Sequence, residues 1–312
     1  MAEPAIVVRN LECAFPGVKA VDRLSFEVRA GEIFGLVGPD GAGKTTTMRV
    51  LAGVLRPDAG SVTVAGFDVV RDPERVKQRI SYMSQRFGLY EDLTVEENIR
   101  FYARIFGVKR AEYRERSQRL LEAAGMAQFR RRLAGKLSGG MKQKLGLICA
   151  LIHTPHVLLL DEPTNGVDPV SRRDFWKILY SLLDEGVAIL TSTAYLDEAE
   201  RCHRVALVHQ GRMLFCDEPG LLKAKLRNRV IAITTADPRG VRDAIASVPG
   251  VRNTVLVGDG VHLVVDDAEP AVLALRAAME ASGVPFAGME QITASLEDVF
   301  VHAVEQSGGA AA

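Results

Sequence analysis

The stretch "GPDGAGKTT", Gly38 to Thr46, constrains this chain more than any other. It fits G-x-x-x-x-G-K-[ST], with Gly38, Gly43, Lys44 and Thr45 in the fixed places and Pro39, Asp40, Gly41 and Ala42 between them. The preceding run "EIFGLVG" reads as a strand buried on both faces, and the residues through Leu51 read as a helix. A strand that passes into a helix through glycines offers backbone N–H groups and the positive end of the helix dipole to an anion. Lys44 adds a point charge for the β- and γ-phosphates, and Thr45 is placed to hold Mg²⁺. Strands of this kind belong in a parallel sheet covered by helices.

The remaining pattern agrees with such a core. "HVLLLDEP" and "VAILTS" are compact apolar runs suited to buried strands, while residues 5 to 28 and 61 to 64 alternate as an antiparallel flank would. Between roughly 87 and 150 the period turns helical, with a capping box at Thr94 and Glu97 and a second helix opening at Ser138. Asp168, Pro169 and Gly186 mark the cap, first residue and end of a crossover helix. From about Arg229 the pattern becomes strand, helix (238 to 247), hairpin turning at Gly258-Asp259-Gly260, helix (270 to 282), strand, helix, with no cluster of catalytic residues. The fold expected is α/β: a P-loop core and antiparallel β subdomain over 1–86, a helical subdomain over 87–152, the rest of the core over 153–224, and a small C-terminal α+β domain over 225–312 whose "SGGAAA" end is disordered.

"VLLLDEP" ends its strand in two adjacent carboxylates. Asp161 would reach the magnesium, directly or through water, and Glu162 is placed to polarise an attacking water. Alone, two acids at a strand end could be a surface turn; beside a phosphate loop they describe a nucleotide hydrolase.

Composition narrows the partners. The formal net charge of +0 gives no overall footprint for nucleic acid or an acidic membrane, and Arg130-Arg131-Arg132 reads as a solvated helix end. Cys13, Cys149, Cys202 and Cys216 show neither CxxC spacing nor disulfide density, which suits a reducing cytoplasm. Apolar runs such as "LGLICALI" at 145 to 152 fall short of a membrane span, and the N-terminus has no signal-peptide pattern, so a membrane role is expected to come through a partner.

"LSGGMKQ" at 137 to 143, ahead of the second acidic motif, makes the chain resemble the ATP-binding cassette (ABC) ATPases over residues 4 to about 220. That resemblance implies a RecA-like core and two chains sandwiching two ATP molecules, each between the phosphate loop of one chain and Ser138, Gly139 and Gly140 of the other. Ser138 caps a helix that begins with two glycines, so bare N–H groups and a positive dipole are expected to face outward. The resemblance also makes Gln85 the Q-loop residue, counted with both the catalytic and the metal-binding groups, "NGVDP" the D-loop, whose Asp168 is counted with the catalytic residues, and Phe15 the aromatic that stacks on adenine. Two plainer readings stand beside these: Phe15 as core, Gln85 as a loop amide. Asp40 and Val167 replace the usual Asn and Leu, and "SLEDVF" at 295 to 300 resembles the C-terminal extension of drug and antibiotic exporter ATPases.

One departure matters more. In "STAYLDEAE" Ala194 stands where the family pattern has a histidine that touches the γ-phosphate. Alanine neither donates nor titrates, and loss of one such donor commonly costs about 10²-fold in rate. His203 lies about 13 Å further along the expected helix, too far to substitute. Strand alternation points Thr193 away; Thr193 or Tyr195 as a replacement hydroxyl is the minor reading. The resemblance, read with this gap, implies a cytoplasmic subunit of an ABC exporter, peripheral to the inner or plasma membrane through separate permease subunits that it meets near Gln85, Phe87 and Tyr90. It pairs with a second cassette, in a heterodimer or else a homodimer, and resembles the N-terminal cassette of fused two-cassette multidrug exporters. The alternative is a non-transport ABC protein with a regulatory or assembly role.

Overall fold

The computed structural model describes residues 3–85, 88–258 and 260–308. Two compact units appear: a first up to Met213, less Ala199–Arg201, and a second formed by Ala199–Arg201 and the residues from Leu214 on. The second unit thus begins at Leu214 and not at 225, because no composition change marks the point where the contacts divide.

In the first unit β1 (Ile6–Phe15) pairs antiparallel with β2 (Val18–Val28). Ile6, Val8, Leu11 and Cys13 of β1 are buried, and the shift in register between Val8 and Leu11 coincides with a bulge at Asn10, whose φ is 47°. Next come β3 (Ile33–Val37), α1 (Lys44–Leu51), β4 (Ala59–Val64), β5 (Phe67–Asp68), α2 (Pro73–Arg79) and β6 (Ile80–Met83). The antiparallel sheet runs β2-β1-β4-β5. The helical block holds α3 (Val95–Ile105), α4 (Arg110–Ala123) and α5 (Gly139–Leu151). Thr94 and Glu97 form the capping box in both directions. Buried Asn98 accepts from Tyr90 N–H and donates to the carbonyls of Tyr90, Leu93 and Thr94, fixing the loop that leads into α3.

The chain continues through β7 (Val157–Asp161), α6 (Pro169–Leu183), β8 (Ala188–Thr193), α7 (Leu196–Ala199), β9 (Arg204–His209) and β10 (Arg212–Asp217). The parallel strands stand in the order β9-β3-β8-β7-β6, and every residue of β3, β7 and β8 is buried, as a sheet covered on both faces requires. Phe175, Trp176 and Leu179 make the buried stripe of α6, each burial contributing about 1.5–3 kcal/mol. The carboxyl ends of β3, β7 and β8 lie side by side, with Asp161 level with Ser192 and Val37 level with Thr193. The loops that leave these three strands therefore meet at one rim.

The second unit contains α8 (Pro219–Ala224), β11 (Val230–Thr234), α9 (Pro238–Ile245), β12 (Val251–Val257), β13 (Gly260–Val265), α10 (Ala268–Ser282), β14 (Gly288–Ile292) and α11 (Leu296–Gln306). From β11 to β14 this is a βαββαβ arrangement in the antiparallel order β12-β13-β11-β14. Ile231, Ile233, Val261 and Leu263 pack with Val241, Ile245 and Leu275 of the two helices. Asp298 of α11 meets His262 of β13, at 3.2 Å. The α/β core, antiparallel flank, helical block and C-terminal α+β unit read from the sequence are all present. Phe87, Asp259 of the hairpin turn and the last four residues of the expected disordered tail lie outside the described residues.

Candidate functional site

The first turn of α1 has no side-chain cap and no acid, so its N–H groups and dipole are available to an anion. Only glycine suits the preceding position: Gly43 has φ 94°, and a Cβ there would stand 2.2 Å from the Ala20 carbonyl. Lys44 is 4% exposed, and its Nζ donates to the carbonyls of Gly38 (2.7 Å) and Pro39 (3.1 Å) while pairing with Glu162 Oε1 at 3.1 Å. A buried ammonium needs that many partners.

Asp161, buried at the end of β7, accepts three hydroxyls: Thr45 Oγ1 at 3.1 Å, Ser192 Oγ at 2.7 Å and Tyr82 Oη at 3.3 Å. Burial and the charge of Asp161 push the Tyr82 hydroxyl up to about 12, so it stays a proton donor across the physiological range. Glu162 then turns the chain sharply, at φ 49°, a left-handed conformation that costs a non-glycine residue about 1–3 kcal/mol and tends to occur at functional sites. Its N–H is held by Ser192, through the hydroxyl at 3.0 Å and the carbonyl at 3.2 Å. Its carboxylate receives Lys44 on one oxygen, and Gln85 Nε2 (3.1 Å) and Asn165 Nδ2 (3.4 Å) on the other.

These groups face a cavity of about 300 Å³, lined also by Asp40, Gly41, Ala42, Gly43, Thr45 and Thr46, and closed on the antiparallel side by Phe15, Val18 and Ala20. Phe15 is 45% exposed, so it is not core. An exposed aromatic and an amide-lined loop with a buried lysine in one cavity, with Glu162 on its lining and Asp161 bonded to Thr45, match the base and phosphates of a nucleoside triphosphate. The Thr45 hydroxyl beside the Asp161 carboxylate suits a hard cation that keeps phosphate and water oxygens. Among the described residues no group of three or more His, Cys, Asp or Glu could hold a metal.

A second group lies apart from that cavity. Ser138 Oγ caps α5 by accepting from Met141 N–H at 3.3 Å, and Ser138 and Gly139 are exposed. Gly140 does not face outward as expected: it is buried, and a Cβ there would meet the Ser171 side chain at 2.4 Å. Asp168, grouped with the catalytic residues from sequence, does not line the cavity. Its carboxylate caps α6 through Ser171 N–H at 2.9 Å, a bond that holds it below its ordinary range, and it lies against the Gly140 position.

At the end of β8, Ala194 is exposed and contributes nothing to the cavity lining. Thr193, buried, donates to Glu198 Oε2 and accepts from Tyr195 N–H, both at 2.9 Å, so its hydroxyl is committed to the start of α7. The helix expected to run to His203 stops at Ala199, and His203 Nδ1 accepts from Ile33 N–H at 3.1 Å, far from this role. Sequence reasoning missed Ser192, Tyr82 and Asn165. The signal for Ser192 was available, since alternation that turns Thr193 away turns its neighbour toward the acids.

The model of the family described as "ABC transporter" matches residues 21–165. The chain is 43% identical over 313 residues to YbhF of Escherichia coli (strain K12), a probable multidrug ABC transporter ATP-binding protein, covering 99% of this chain and 53% of the relative. It therefore spans about half that relative's length. It is 39% identical over 305 residues to Nod factor export ATP-binding protein I of Burkholderia pseudomallei (strain 1710b), covering 96% of this chain and 97% of the relative. A solved ATP-binding subunit of an ABC transporter superposes with TM-score 0.65 at 29% identity, over 71% of this chain and 92% of that one.

Proposed function

The chain belongs to the ATP-binding cassettes of ABC transporters, a family of transport ATPases, and on that premise we propose that it powers an exporter of drugs or antibiotics by hydrolysing ATP. The observation that carries this reading is the convergence of Lys44, Glu162, Gln85 and Phe15 on one cavity. Phe15 stacks on adenine, the N–H groups of Gly41 to Thr46 and Lys44 bind the phosphates, and Glu162 polarises the attacking water. Thr45 and Asp161 would hold Mg²⁺, with Gln85 on the same cavity as Thr45, and the ion would neutralise phosphate charge. The relatives' names, multidrug and Nod factor export, support outward transport.

Among the described residues no helix is long and apolar enough to cross a membrane. In this reading separate permease subunits supply the transmembrane pathway. Tyr90, 47% exposed next to the Gln85 segment, marks the face offered to them. Among the described residues no cysteine is in a disulfide, which suits the cytoplasmic side. Ser138 and Gly139, exposed at the tip of α5, receive the γ-phosphate held by a second cassette. Because Ala194 leaves this chain's own site a donor short, the partner is a different cassette with a complete site. In the assembled transporter Ser138→Arg should therefore remove most ATP turnover by blocking the partner's site, and Lys44→Ala in this chain should remove little. Equal losses from both would mean a symmetric dimer; undiminished turnover with Ser138→Arg would remove the shared site altogether.

A further inference from the structure

Glu162 is fixed from three sides, and its third partner is itself held in a way that singles out one residue. Asn165 sits in the tight turn after β7, its N–H donating to the Glu162 carbonyl at 3.2 Å, and its side-chain Nδ2 reaches Glu162 Oε2 at 3.4 Å. An asparagine amide can face a carboxylate with either end, and only the NH₂ end is attractive. Glu162, which only accepts, selects the NH₂ end, and Tyr195, whose hydroxyl donates to Asn165 Oδ1 at 3.2 Å, holds the amide in that orientation. The ring of Tyr195 is placed in turn: its N–H bonds Thr193, and the Arg172 guanidinium lies over it at 5.2 Å, anchored by ion pairs with Asp197 and Glu198.

We propose that Tyr195 is a positioning residue for Glu162, acting through the orientation of Asn165. The position next to the missing histidine thereby keeps a hold on the base that Ala194 cannot provide. The inference rests on the reading of Glu162 as the group that polarises water, and it adds a route from the β8 end to the β7 end that leaves the nucleotide untouched: Tyr195 does not line the cavity, so its loss should alter kcat and not ATP affinity.

The test is steady-state ATP hydrolysis by the full chain. Tyr195→Phe keeps the ring and its cation contact and removes only the hydroxyl. Turnover is expected to fall about fivefold, the rate equivalent of one oriented hydrogen bond, with KM for ATP and melting temperature unchanged. Asn165→Ala should cost as much or slightly more, and the double variant no more than Asn165→Ala alone, because the two act in series. Additive losses, an unchanged rate in Tyr195→Phe, or a loss confined to KM would each overturn the proposal. Glu162→Gln separates it from the reading beneath it: if that change leaves turnover intact, the role of Glu162 fails first and the positioning role with it, whereas a collapse in Glu162→Gln beside an unaffected Tyr195→Phe removes the positioning role alone.

Discussion

The two units bury polar side chains to opposite ends. In the first, Lys44, Asp161 and Ser192 are nearly inaccessible and stand at or just past the carboxyl ends of three parallel strands. In the second, buried Asp298 accepts from Ser295 N–H and hydroxyl, both at 2.8 Å, and from His262, while Thr235 donates to the Pro285 carbonyl at 2.8 Å. Those bonds tie one element of the unit to the next. A charge with fixed protein partners stabilises a fold; a charge whose partners are other charges at a rim can exchange them for a ligand. Changes in the first unit should therefore alter binding and turnover, and changes in the second should alter stability alone.

Lys44→Ala should test this contrast most severely, because it removes the buried cation and leaves Glu162 without it. ATP binding should be lost in a nucleotide titration, and retained affinity would end the reading of this rim as a phosphate site. Glu162→Gln should lower hydrolysis by about 100-fold, the lower end of general-base contributions. Affinity should hold or rise, since Lys44 is then freed from an ion pair; weaker binding would show that Glu162 organises the site instead of acting in it. Ala194→His should raise the rate of the isolated chain by about 10-fold, as the position is exposed and has room for a donor to the γ-phosphate. No gain would make Ala194 a neutral variation.

In the second unit Asp298→Ala should leave ATP affinity and turnover as they are and lower the melting temperature of that unit by about 5–10 °C, as loss of a buried, hydrogen-bonded helix cap predicts. Burial alone would raise the Asp298 carboxyl, but the His262 and Ser295 bonds outweigh it and hold the group below its ordinary value of 3.8. Its contribution is therefore complete above pH 3.8 and disappears as pH falls through the lower folded value, a loss that Asp298→Ala should abolish in acid titrations followed by circular dichroism. Any effect of this variant on nucleotide binding would break the division of labour between the units.

Much of this arrangement was legible in advance. Local rules act over a few residues, so the phosphate loop, the Thr94 and Asp168 caps, and the hairpin and helices of the second unit come from spacing alone. Ser192 and Tyr82 reach Asp161 across strand registers, which no single stretch of chain encodes. Asn165 and Tyr195 stand in segments that leave different strands, and only the side-by-side packing of β7 and β8 brings them together. Gly140 looked like open backbone because a glycine after a helix cap serves equally for exposure or for close approach; here Ser171 occupies the space. The boundary at Leu214 falls within a strand, where neither turn residues nor a composition change could announce it.

That close approach has a mechanical meaning. Ser171 fills the place of a Gly140 side chain, and Asp168 borders the same spot while capping the helix that carries Ser171. The opening turns of α5 and α6 thus mesh like gear teeth with no backlash, and the short span from Glu162 to Asp168 is cross-braced by the Asn165-to-Glu162 and Val167-to-Thr164 bonds. The Ser138 tip of α5 and the span that begins at Glu162 are thus joined through a contact that leaves no room for a side chain, and a single methyl group at 140 would force the two opening turns apart.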